Sequence, residues 1–208
     1  MCNLILASQS PRRRELMKLL GHEFRCVTSD VEEHSVSGET PEEHVTRLST
    51  LKARDVAARS DRGIIIGSDT IVVLDGDILE KPASSGDAVE MLMRLTNRTH
   101  TVYTGFALVD ASGGKEHTGW ETTDVTMRVF SRELAARYVD TGEPLDKAGA
   151  YGIQGYGAAL ITSIHGCYFN VMGLPLARLM DALYDFTDGE YGFFGARNKD
   201  INSHTPEQ

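Results

Sequence analysis

An α/β fold is what this sequence predicts, and three stretches predict it. Residues 3–7 and 11–20 read as a strand, a turn and a helix. Residues 63–74 form an isoleucine- and valine-rich run that Asp75-Gly76 closes as a hairpin. Residues 100–110 and 120–130 are two long strand-like segments joined across Ser112-Gly113-Gly114. With 208 residues, 41% hydrophobic and 25% charged, the chain can bury one ordinary globular core.

Taken in order, each element has a local cause. Ser10 is an N-cap, Pro11 occupies the first helical position and Gly21 stops the helix. Residues 24–28 suggest a second strand, followed by a polar loop through Gly38. Thr40, Pro41 and Glu43 supply a cap, a first-turn proline and a capping-box acid for a long helix to about residue 59. After the hairpin, residues 78–80 return as a strand and residues 86–95 read as a helix. Ser131 caps another helix to about residue 140, a glycine-rich stretch covers 146–157, a strand ends near 164, and residues 174–184 make a last helix. The expected division is a domain over 1–187 and a polar tail over 188–208, flexible or docked by aromatics such as Phe193 and Phe194.

Thirty acidic against 21 basic residues leave a net charge of −9, which disfavours a nucleic-acid or membrane-surface partner. Cys2, Cys26 and Cys167 are odd in number and widely spaced, so neither a disulfide framework nor a zinc site is suggested and a reducing, cytoplasmic setting is expected. The start of the chain reaches Ser8 too soon for a signal peptide, and no apolar run approaches the length of a membrane span.

Several residues resist a purely structural reading. Arg12, Arg13 and Arg14 stand in the first turn of the first helix, where the macrodipole disfavours cations. They are either solvated arginines or partners of an anion seated on the helix end. Lys52 falls on the apolar stripe of the long helix, in line with Val45, Leu48 and Val56, and calls for an anionic partner or an escape to the core's edge. Asp69 interrupts a continuous apolar run and needs a cation, a metal or strong donors. Glu32 and Glu33 lie in a loop, where one of them becomes special only by joining Asp69 on a hard cation. Lys81 precedes Pro82 and is held extended. Gly149, Gly152 and Gly155 recur every three residues, as in a loop whose backbone must approach a ligand, and Asp146, Lys147 and Gln154 are polar on it.

In order, A-S-Q-S-P-R-R, the Glu33 loop, L-x-x-L-K-A-R, G-S-D-T, E-K-P and D-K-A-G-A-Y-G-I-Q-G resemble the motifs of the Maf family of nucleoside triphosphate pyrophosphatases, over about residues 3–185. The last motif is similar to the branch acting on dTTP and UTP. The resemblance implies a mixed twisted β-sheet with flanking helices, two lobes around a central cleft (an ITPase-like arrangement), and a homodimer. It implies hydrolysis of dTTP, UTP and modified pyrimidine triphosphates between the α- and β-phosphates. By motif, Asp69 would be the proton acceptor; Arg12, Thr70 and Gln154 would discriminate the base; Ser8, Ser10, Arg13, Lys52, Lys81 and Lys147 would hold phosphates; and Glu33 with Asp69 would hold Mg²⁺ or Mn²⁺. Two alternatives stay open: a 7-methyl-GTP-type pyrophosphatase, and a nucleotide-binding regulator of cell division with little turnover. Arg14 and the tail after Asp188 depart from the family pattern.

Overall fold

A computed structural model describes residues 3–193. The elements run β1 (Leu4–Ala7), α1 (Pro11–Lys18), β2 (Phe24–Cys26), α2 (Pro41–Ala57), β3 (Ile64–Leu74), β4 (Asp77–Leu79), α3 (Ser85–Leu95), β5 (Thr99–Asp110), β6 (Glu116–Met127), α4 (Arg132–Val139), β7 (Ile161–Gly166), α5 (Tyr168–Met172) and α6 (Leu176–Phe186), with short 3-10 turns between α4 and β7. The seven strands form one mixed sheet in the order β2-β1-β3-β5-β6-β7, with β4 paired to β3. β1 is parallel to both its neighbours, whereas β3, β5, β6 and β7 are joined antiparallel. Among the described residues no helix is long and apolar enough to cross a membrane.

The local signals act as their chemistry requires. Ser10 accepts from the Arg13 amide, and Thr40 and Glu43 make both hydrogen bonds of a capping box. Asp75 and Gly76 both adopt positive φ, the pairing a two-residue hairpin turn demands. β6 begins at Glu116, four residues before the expected start, because its first residues are polar and face water while still pairing along β5. The short helix α5 had no counterpart in the sequence reading, and α6 starts at Leu176, two residues later than expected. Tyr191 is buried with Leu183 and Phe186, and His22 bonds the Gly192 carbonyl, so packed chain runs a few residues past position 187. Phe194 lies outside the described residues.

Alternation along the strands sorts the core. On one face, Leu4, Leu6, Ile64, Ile66, Phe106 and Leu108 pack with α1 and α6. Further along that face, Val72, Leu74, Val102, Val125 and Met127 pack with α3 and α4. These are two lobes on one sheet. The opposite face is covered by α2, through Ala53 and Val56 over Ile5, Ile65, Ala107 and Val109, and through Val45 over Ile71 and Val73.

Two features of β3 make the cleft between the lobes. β5 pairs with it from Ile64 to Val73, but the other edge is shared: β1 covers Ile64 to Gly67 and β4 covers Val72 to Leu74. Residues 68–71 are left without a strand partner on that edge. The second feature is a pair of glycines. A Cβ on Gly67 would collide with the Ser49 carbonyl of α2, and one on Gly105, which pairs with Asp69, would collide with the Val45 carbonyl. Two missing side chains therefore let the α2 backbone settle onto the sheet directly beside Asp69.

Candidate active site

At this gap a cavity of about 750 Å³ opens, and Ser8, Ser10, Arg12, Arg13, Glu33, Lys52, Asp69, Thr70, Lys81, Lys147 and Gln154 all line it. Its size suits a small-molecule ligand. Each side chain arrives by a traceable route.

The close approach of α2 delivers Lys52. Its Nζ lies 2.7 Å from Asp69 Oδ1 and 2.5 Å from Glu33 Oε1, and both Lys52 and Asp69 are buried. Of the two outcomes open to Lys52, an anionic partner or an escape to the core's edge, the structure shows the first, with Asp69 as the partner joined by the loop carboxylate. Burial pushes the Glu33 pKa up, but the charge and hydrogen bond of Lys52, aided by Lys81, outweigh it and hold the carboxyl below its ordinary value. Lys81 stands 3.5 Å from Glu33 at the exposed rim. The second oxygen of Asp69 carries no hydrogen bond among the described residues.

The turn from β1 into α1 supplies Ser8, Ser10, Arg12 and Arg13. Ser8 Oγ accepts from the Ser10 amide and Ser10 Oγ from the Arg13 amide, which leaves each hydroxyl hydrogen for an outside acceptor. Arg13 is half-buried. Its Nε donates to the Gly173 carbonyl (2.8 Å) and Nη2 to Thr70 Oγ1 (2.9 Å); Thr70 in turn meets Thr104, whose hydroxyl donates to the Asn170 carbonyl. Burial lowers the Arg13 pKa against the opposing pull of Asp69 and Glu33. No carboxylate lies within ion-pair distance of Arg13 among the described residues, in contrast to Arg12, Lys52, Lys81 and Lys147. Arg14 is exposed on the far side of the helix.

The opposite wall is the segment after α4. Asp146 receives Arg12 Nη1 at 3.1 Å and Lys147 Nζ at 2.6 Å, and Lys147 also reaches the Glu143 carbonyl. Burial raises the Asp146 pKa, but Lys147 and Arg12 bring it below the ordinary value. The pair Arg12–Asp146 spans the cleft from one lobe to the other. Gln154 lies on the wall with its side-chain amide making no hydrogen bond among the described residues. Behind it, Tyr151 donates or accepts at His100 Nε2 (2.7 Å), deep in the second lobe.

The glycines of this wall act differently from the sequence expectation. A Cβ on Gly149 would press on Val72, on Gly152 on the Lys147 stem, and on Gly155 on the Glu143 carboxylate. The close approach they allow is to the protein's own side chains. Sequence reading also passed over Glu143 and Tyr138, which nothing local marks; only their contacts with residues 152–157 do.

A divalent cation suits the donor set. Glu33 and Asp69 point oxygens at one place, now taken by Lys52 Nζ, and among the described residues no group of three or more His, Cys, Asp or Glu gathers anywhere. Two carboxylates completed by ligand and water oxygens are what Mg²⁺ accepts.

A family model described as Maf-like protein matches residues 3–186. The chain belongs to the Maf family. Relatives include the dTTP/UTP pyrophosphatase of Symbiobacterium thermophilum, 51% identical over 186 residues that cover 89% of this chain and 95% of that protein. Another is the dTTP/UTP pyrophosphatase of Geotalea uraniireducens, 50% identical over 185 residues covering 87% and 93%. Among solved structures, the Staphylococcus aureus Ham1 protein aligns over 97% of this chain and 96% of its own at 16% identity and a TM-score of 0.46, too distant to build on. The Maf motifs and the cavity lining coincide: each of the six segments quoted above contributes at least one residue to the cleft.

Proposed function

We propose that this Maf-family chain hydrolyses dTTP, UTP and modified pyrimidine triphosphates to the nucleoside monophosphate and pyrophosphate. The observation that carries the reading is Arg13: a half-buried guanidinium, fixed by two neutral acceptors and with no carboxylate at ion-pair distance among the described residues, in a cleft beside a buried aspartate. Such a cation calls for an anion from outside, and a triphosphate offers one with oxygens to spare.

Attack on a triphosphate needs neutralised phosphate charge and a positioned water. Arg13, Lys52, Lys81 and Lys147, with the Ser8 and Ser10 hydroxyls, supply donors along the cleft. Arg13, fixed by two neutral acceptors, spends no further ordering when the ligand arrives, whereas Lys52 gives up Glu33 to admit a cation between the two carboxylates. Asp69 keeps one oxygen on Lys52 and offers the other to water. As the water oxygen bonds to the α-phosphorus, its proton passes to Asp69 and the bond to the bridging oxygen breaks, releasing pyrophosphate. Glu33 and Asp69 would hold Mg²⁺ or Mn²⁺, which when bound neutralises phosphate charge. Arg12, Thr70 and Gln154 are assigned to base discrimination. Of these Gln154 is the one whose polar side-chain atoms make no hydrogen bond among the described residues, while Arg12 is held by Asp146 through Nη1 and Thr70 by Arg13.

A cytoplasmic homodimer belongs to the same proposal, and analytical ultracentrifugation tests the dimer. For the chemistry, the purified protein with Mg²⁺ and UTP or dTTP releases pyrophosphate, and Asp69→Asn lowers turnover by about 10³-fold while nucleotide binding stays measurable. A clear preference for 7-methyl-GTP overturns the substrate, and undiminished turnover by Asp69→Asn removes Asp69 from the reaction.

A further inference from the structure

We infer that Glu143 is a positioning residue for base discrimination, holding the backbone of residues 152–157 so that Gln154 is presented to the cleft; this rests on the pyrimidine-triphosphate reading above. The carboxylate is surrounded by donors. Its Oε2 accepts from the Tyr156 amide (2.8 Å) and its Oε1 from the Gly157 amide (3.0 Å) and from the Tyr138 hydroxyl (2.9 Å). Tyr138, buried in the second lobe from α4, accepts at the same hydroxyl from the Gly152 amide (3.0 Å). Amides on both sides of Gln154 are thereby fastened to one carboxylate and one phenol.

The fit is close enough to dictate the sequence around it. Gly155 has φ +70, and any Cβ there would run into Glu143; a Cβ on Gly157 would meet the Gly152 carbonyl and stand 2.6 Å from the Tyr138 hydroxyl. Gln154 itself is extended and exposed, without a side-chain hydrogen bond among the described residues, so its place in the cleft comes from this backbone alone. The Glu143 carbonyl also receives Lys147, which ties the neighbouring cation to the same turn. A glutamine at 143 cannot replace the carboxylate, because one of its two terminal atoms becomes an N–H donor facing an amide N–H.

The test compares Glu143→Gln, Tyr138→Phe, Gln154→Ala and the Glu143→Gln/Gln154→Ala double variant with the parent chain, using hydrogen exchange and kcat/KM for UTP and for ATP. Glu143→Gln is expected to expose the Tyr156 and Gly157 amides to exchange and to lower the UTP-to-ATP ratio about tenfold. Tyr138→Phe, which keeps the ring packing, moves the ratio in the same direction and serves if Glu143→Gln does not fold. Because Glu143 acts through Gln154, the double variant discriminates no worse than Gln154→Ala alone. Protected amides, an unchanged ratio, or effects of the two substitutions that multiply each overturn the proposal. An inactive parent chain is a separate result, seen before any variant is made, and it strikes the functional reading.

Discussion

The two walls of the cleft are built on different principles. The first, α2 against β3, places opposite charges in contact: Lys52 and Asp69 are buried under a helix that two glycines let down onto the sheet, and the exposed loop carboxylate of Glu33 joins them from outside. The second, residues 143–157, is a loop whose backbone amides close on a single carboxylate, while its charged pair across the cleft, Arg12–Asp146, sits toward water. On the proposed reading, rigid elements therefore carry Lys52 and Asp69, the pair set beside the reacting phosphate, where a small displacement costs most. On the same reading the loop presents Gln154 to the variable part of the ligand.

Substitutions that attack each wall separately sharpen this contrast. The largest loss of stability is expected from Lys52→Met, which strands Asp69 without its cation at a cost of about 3–5 kcal/mol. Urea denaturation measures it, and adding Asp69→Asn should restore much of the loss. A variant as stable as the parent would show that the first wall does not depend on its charge pair.

Acid should weaken the second lobe through His100. Burial depresses the pKa of this histidine to about 4, despite the opposing influence of Asp124, and its buried Nδ1 has no hydrogen-bond partner among the described residues. The unfolded chain, with an ordinary histidine pKa near 6.5, takes up the proton first as pH falls. Stability should then decline from about pH 6.5 to about pH 4, by roughly 3 kcal/mol in all, and level off below. Thermal unfolding across that range checks the slope, and His100→Gln should remove this component of it.

A smaller effect follows from Gly105→Ala. The new methyl meets the Val45 carbonyl, a backbone atom that can move only with α2, so a loss of about 1–3 kcal/mol is expected, with lower turnover as Lys52 is lifted from Asp69. Calorimetry and a pyrophosphate-release assay together separate this from a simple packing defect, which would spare turnover in the folded fraction. Smallest of all, Lys81→Ala should change stability by less than about 1 kcal/mol, since its ion pair with Glu33 is long and exposed. Its effect is expected in KM for the triphosphate instead.

Much of the molecule could be read from neighbours in the chain, and the reason is physical. Caps, turns and the helical stripe depend on residues within a few positions of one another, so the capping box at Thr40, the Asp75-Gly76 hairpin and the inward place of Lys52 follow from local rules. The buried position of Asp69 in a strand likewise called for a cation, a metal or strong donors, and the structure supplies the first in Lys52. The sequence by itself also determined the family, because six motifs keep their order along one chain. Only the tertiary structure decided which partner each group meets. That α2 reaches Asp69 depends on Gly67 and Gly105, lying on strands β3 and β5; that the loop glycines yield to Glu143, Val72 and Lys147 and not to a ligand depends on contacts that cross the fold. Such contacts are set by packing between distant segments, and no local pattern encodes them.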